Sequence, residues 1–181
     1  MVNQNLMFFI GRQKRLSMSD FDAWLPPLVM LEDYNGNWTE YLEAIYMIFK
    51  RDFIDSKPNF PGYRVGLKRH PIIEGKEATF WHFISEGRIE KDRIPDLRRC
   101  EKIAWPRAII DAFQSNNVCA WSTLRGNEKR MLLALVDFSY IVVLVDRGEY
   151  VLPWTAYCVE REHQREKLLR EYEARRKAKN G

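Results

Sequence analysis

Chemistry first suggests itself at a histidine inside an apolar helical run, Phe80-Trp81-His82-Phe83-Ile84. With Phe80 set at 0° and about 100° per residue, Trp81, Phe83 and Ile84 fall near 100°, 300° and 40°, and His82 falls near 200°. The spacing therefore predicts an imidazole pointing away from the core, toward solvent or a cleft, where it suits proton transfer near neutral pH. Near the C-terminal end, Trp154-Thr155-Ala156-Tyr157 reads as a strand. Alternation places Thr155 and Tyr157 on one face and Trp154 and Ala156 on the other. With Trp154 in the core, both hydroxyls face the opposite way and are placed to meet a substrate. Arg125, Lys129 and Arg130 flank Gly126-Asn127, and a guanidinium fork matches a phosphate.

Each of these residues also has a structural reading. The histidine can be a hydrogen-bonded scaffold residue, Thr155 and Tyr157 can belong to a half-buried sheet face, and the hairpin cations can simply be solvated. Arg88, Arg93, Arg98 and Arg99 alternate with Glu90, Asp92, Asp96 and Glu101. Arg88 and Arg93 are read as nucleic-acid-facing candidates, and internal ion pairing is the competing reading. His70, ahead of Pro71, and His163, in a charged run, read as turn and surface residues.

The chain contains no phosphate-cradling glycine loop, no G-x-S-x-G elbow and no H-E-x-x-H. No metal or cofactor is expected. The 3 cysteines form no C-x-x-C pair, which argues against a zinc site or a disulfide framework and for a reducing, cytoplasmic setting. The first ten residues carry no basic stretch ahead of their apolar run and do not read as a signal peptide. Leu132–Val145, interrupted by Asp137 and Ser139, is too short and polar to span a bilayer. The net charge of +4 permits an anionic partner without requiring one.

These groups need elements to hold them. Met7–Ile10 reads as a short strand. Asn37 and Glu40 form a capping signal for an amphipathic helix over 38–55, whose apolar stripe is Tyr41, Leu42, Ile45, Ile48, Phe49 and Phe53. This helix belongs to an N-terminal extension, residues 1–60, and is expected to dock on a main domain over 61–178. There, Tyr63–Leu67 reads as a strand, 76–86 as a helix stopped by Gly87, and 97–113 as a helix broken near Pro106. Strands follow over 118–123, 130–137, 140–146 and 150–158, joined by short turns that make neighbours antiparallel. A charged helix closes the chain. The predicted class is α+β, two helices packed on a four- to five-stranded antiparallel sheet, flanked by the N-terminal and C-terminal helices.

That order, with the helical His82 and the Thr155-Ala156-Tyr157 strand, resembles the fold shared by RelE-type toxins, barnase, EndoU and colicin nuclease domains, over residues 61–178. The resemblance implies a metal-independent ribonuclease of a phage or mobile element, with RNA as substrate and a cognate inhibitor protein as a further partner. Cleavage would run by 2′-hydroxyl transesterification to a 2′,3′-cyclic phosphate. His82 would move protons, Arg130 and Arg125 would hold the phosphate, and Thr155 and Tyr157 would support it. The chain departs from the pattern in lacking the paired histidines of EndoU-type sites. The rival expectation is a non-catalytic module that binds nucleic acid or a protein, most simply as a two-fold homodimer.

Overall fold

The computed structural model describes residues 23–87, 89 and 92–180. The strand expected at Met7–Ile10 and the candidate Arg88 lie outside the described residues. Helix α1, Trp38–Lys50, begins where Asn37 accepts hydrogen bonds from the amides of Thr39 (3.2 Å) and Glu40 (3.3 Å). The Asn37 amide donates in turn to Glu40 Oε1 at 2.8 Å, so amides left without partners by helix geometry are satisfied. A π-helical turn, Arg51–Asp55, extends α1 and carries Phe53 into the core.

The chain then runs through β1 (Arg64–Val65), α2 (Ala78–Ile84), β2 (Ser85–Glu86), β3 (Ile94–Pro95), α3 (Leu97–Glu101) and α4 (Trp105–Asp111). It continues through β4 (Val118–Arg125), β5 (Glu128–Leu135), β6 (Tyr140–Asp146) and β7 (Tyr150–Cys158), and closes with α5, Glu162–Asn180. The fold is α+β, built on a 5-stranded sheet of order β1-β7-β6-β5-β4, with β2 and β3 as a separate pair. The β4 to β7 meander is antiparallel throughout. One correction to the all-antiparallel expectation is needed, because β1 pairs with β7 in parallel, Arg64 beside Tyr150 and Val65 beside Val151. Only neighbours joined by tight turns are forced to be antiparallel, and β1 reaches β7 through most of the domain.

The helix expected over 97–113 is two helices. Pro106 sits in the first turn of α4, where its missing N–H costs nothing, whereas in mid-helix it would break a bond and clash. The charged connector after α2 contains a small hairpin. Arg93 closes it by donating to the carbonyls of Ser85 (2.6 Å) and Gly87 (2.8 Å).

The sheet has two unlike faces. The inner face packs Leu133, Val142, Leu144 and Ala156 against Ile45, Phe49 and Phe53 of α1 and its extension, Phe80 and Phe83 of α2, and Ile109 and Ile110 of α4, all in one core. The outer face is covered over part of its area by α5, whose Leu168, Leu169 and Tyr172 dock on Trp121 and Phe138. Trp121 Nε1 donates to Glu171 there at 3.2 Å. Among the described residues no helix is long and apolar enough to cross a membrane.

All three cysteines are thiols. Cys100 is fully buried in α3, and burial pushes its thiol up to about 12. A thiol reagent needs the thiolate, so Cys100 is expected to stay unlabelled in the native protein and to react on unfolding. Mass spectrometry of labelled peptides checks this. Labelling of native Cys100 at the rate of a free thiol would mean that α3 is not packed as described.

Candidate functional site

Strand register places the candidates. On the outer face, Arg130 of β5 lies between Thr123 of β4 and Val145 of β6, with Leu152 of β7 next in the row. Two residues along, Leu132, Val143 and Thr155 form a parallel row, and beyond it Ala134, Ile141 and Tyr157. Thr155 and Tyr157 therefore share the outer face with Arg125 and Arg130, on the side away from the main core.

Tyr157 packs on the outer face with the apolar cluster that α5 covers, beside Leu168, Leu169 and Tyr172. Its phenol is pushed up first by burial and also by the Glu171 carboxylate, while the guanidiniums of Arg125, Arg99 and Arg130 oppose that rise. Arg99 reaches over the ring from α3, 5.6 Å from its centroid, while donating to the Ser85 carbonyl at 2.8 Å. Arg130 Nη2 donates to Glu128 at 2.9 Å, and its Nε is buried with no hydrogen-bond partner. Arg147 also donates to Glu128, at 3.1 Å. The Arg130 hydrogen bond, and then the nearby charges of Arg130 and Arg147, hold the Glu128 carboxyl below the usual range. Guanidinium and phenol donors on this face can together bind an anion.

The chain matches no protein-family model, no curated protein and no solved structure.

His82 is the largest correction. It is 3% exposed, not outward-facing. Its ring packs edge-on to Trp154, with centroids 5.2 Å apart, and its Nδ1 lies 3.2 Å from the Trp154 carbonyl. A carbonyl can only accept, so this bond requires a proton on Nδ1. The wheel argument fails because α2 has no solvent face wide enough for it. Ala78, Thr79, Phe80, Phe83 and Ile84 are buried along with His82, and the side opposite the core lies against the outer edge of β7.

Trp154 is not a core residue either. Val143 pairs with Thr155 but Leu144 pairs with Pro153. Trp154 is therefore the extra residue of a bulge, which breaks strict alternation, and its ring sits at the strand edge beneath Lys68, 5.0 Å from the ammonium. Thr155 keeps its outer-face position, but its hydroxyl donates to the His82 carbonyl at 3.1 Å. Lys129 points to the inner face and pairs with Asp146 at 2.8 Å, so it cannot clamp an anion together with its neighbour Arg130. Arg93 ties the β2–β3 hairpin, as described above. Sequence reasoning gave no site role to Arg99, Arg64 or Tyr150. Arg99 was hidden in an alternating charge run, and the Arg64–Tyr150 pair depends on a parallel contact between distant segments. Among the described residues no group of three or more His, Cys, Asp or Glu side chains is placed to hold a metal ion.

Proposed function

We propose that the arginine-bearing half of the outer sheet face binds single-stranded RNA through its phosphates. The observation that supports this reading is that Arg125 and Arg130 share the outer face at the β4–β5 turn, with Arg147 joined to Arg130 through Glu128. Guanidiniums in excess of the carboxylate they share, Glu128, favour a polyanion, and RNA is the polyanion that the ribonuclease resemblance implies. Anisotropy of a labelled RNA oligomer, followed across salt concentrations, tests it. Binding is expected to weaken steeply with salt. The Arg125→Gln/Arg130→Gln double variant is expected to bind about tenfold more weakly, with a salt slope smaller by about 1.4, at roughly 0.7 per lost phosphate contact on a single strand. Undiminished binding by that variant, or no binding by the wild-type protein at about 50 mM salt, would count against the proposal.

Arg99 over the Tyr157 ring, 5.6 Å from its centroid, favours a second reading, metal-independent cleavage at this same face. A guanidinium beside a phenol suits a pentavalent phosphate, which gains charge in the transition state. Here Tyr157, not His82, would give its proton to the leaving 5′-oxygen, while water takes the 2′-hydroxyl proton and returns one to the phenolate. This reading expects RNA cut in EDTA to 2′,3′-cyclic phosphate ends, and loss of cutting in Tyr157→Phe with RNA binding retained. Intact RNA after incubation with the wild-type protein leaves binding alone.

A further inference from the structure

One end of the arginine-bearing face opens into a cleft of about 720 Å³ formed by residues 57–66 and Tyr150. Its walls hold Pro58, Pro61 and Gly62, the glycine at φ 88°, so the two prolines limit how far the loop can deform. The ring of Tyr150 is one side of the cleft. A Cβ on Gly66 would lie 3.1 Å from Tyr150 Cδ2 and 3.0 Å from Leu152 Cδ2, so a larger residue there would press on the ring. Tyr150 is 36% exposed. The lining contains no aspartate or glutamate, and its cations are Lys57 and Arg64. Lys57 donates to the Phe53 carbonyl at 2.9 Å. The Arg64 side chain is exposed and makes no hydrogen bond or ion pair with any described residue.

We infer that this cleft takes one nucleotide, its base stacked on Tyr150 and its phosphate on Arg64. Arg64 and Tyr150 are side by side in the β1–β7 register, so a single ligand can reach both. An exposed ring asks for a flat π-face, and an uncompensated guanidinium beside it asks for an anion. A nucleoside monophosphate carries both, whereas an acidic peptide satisfies only the cation. The volume is within the range of small-ligand sites, about 300–1,000 Å³. This inference rests on the RNA reading, since the nucleotide would be one unit of the strand crossing the outer face at its β1 end.

The experiment titrates adenosine 5′-monophosphate, adenosine and inorganic phosphate into the protein and follows the tyrosine ring resonances by NMR. The monophosphate is expected to shift the Tyr150 signals saturably, while phosphate alone leaves them in place. Tyr150→Leu is expected to weaken monophosphate binding about five- to 150-fold, from the stacking contribution of about 1–3 kcal/mol. Arg64→Gln, at an exposed position, keeps the test decisive even where Tyr150→Leu fails to fold. It is expected to bind the monophosphate no better than adenosine. Unmoved Tyr150 signals, shifts reproduced by phosphate alone, or an undiminished preference for the monophosphate in Arg64→Gln each overturn the inference. RNA binding by a wild-type protein that ignores the monophosphate sinks the cleft alone. Monophosphate binding by a protein that ignores RNA sinks the RNA reading and leaves a nucleotide site.

Discussion

Phe49→Ala is expected to lower the folding free energy by about 3–5 kcal/mol, the usual cost of emptying a phenylalanine site in a core. Phe49 is fully buried. It stacks on Phe53 at 5.3 Å and meets Phe80 at 5.4 Å and Phe83 at 6.0 Å. Its ring thus joins α1 and its π-turn to α2, and little around it can collapse into the space it leaves. A domain of this size is typically stable by about 5–15 kcal/mol, so the variant loses a large share of the total. Met47 on the same helix is 58% exposed, and Met47→Ala is expected to cost less than about 0.5 kcal/mol. Urea denaturation of both variants makes the comparison, with a single transition expected for each. If Phe49→Ala unfolds at the Met47→Ala midpoint, helix α1 is an appendage that the core does not need.

The order of elements was readable because it depends on local signals. Asn37 and Glu40 mark the start of α1 whatever the rest of the chain does. Gly126-Asn127 leaves room for nothing but a tight connection between β4 and β5, and Gly126 adopts φ 60° there. Runs such as Tyr140–Asp146 are apolar at consecutive positions, as a strand buried on both faces requires. What could not be read was set by distant partners. The direction of β1 depends on β7, some 85 residues later in the chain. The bulge at Trp154 exists only in the pairing of β7 with β6. Local periodicity contains neither fact.

The candidate site divides along the same line. Strand alternation put Thr155 and Tyr157 on the face that also holds Arg125 and Arg130, and the register has them there. The same rule separates Lys129 from Arg130, and applying it to the hairpin would have removed Lys129 from the clamp. Arg99 could not be found this way, because its approach to Tyr157 depends on where α3 stands beside β7. For His82, the composition of α2 held a warning that the wheel obscured. Ala78-Thr79-Phe80-Trp81-His82-Phe83-Ile84 has two polar residues in seven, and a helix apolar on nearly every side is a buried helix.

His82→Ala is accordingly expected to act on stability, costing about 2–3 kcal/mol. The substitution removes the edge contact with the Trp154 ring and leaves the Trp154 carbonyl without its Nδ1 donor. It also vacates buried space at the point where the Thr155 hydroxyl bonds the His82 carbonyl. Side chain and main chain of this one residue together hold α2 to the edge of β7, the strand that presents Tyr157. His82→Phe keeps a ring in place and loses only the polar contact, so it is expected to recover part of the loss. RNA affinity measured well below the melting temperature is expected to stay within about twofold of wild type in both variants, since neither alters the charge of the outer face. A proton-transferring histidine predicts the opposite pattern: stability nearly unchanged, and cleavage reduced by the 10²–10⁴-fold typical of a lost general acid or base. Denaturation and cleavage assays on the same two proteins separate these cases. A stable His82→Ala protein that has lost RNA cleavage would return the imidazole to the chemistry and overturn its assignment as the pin between helix and strand.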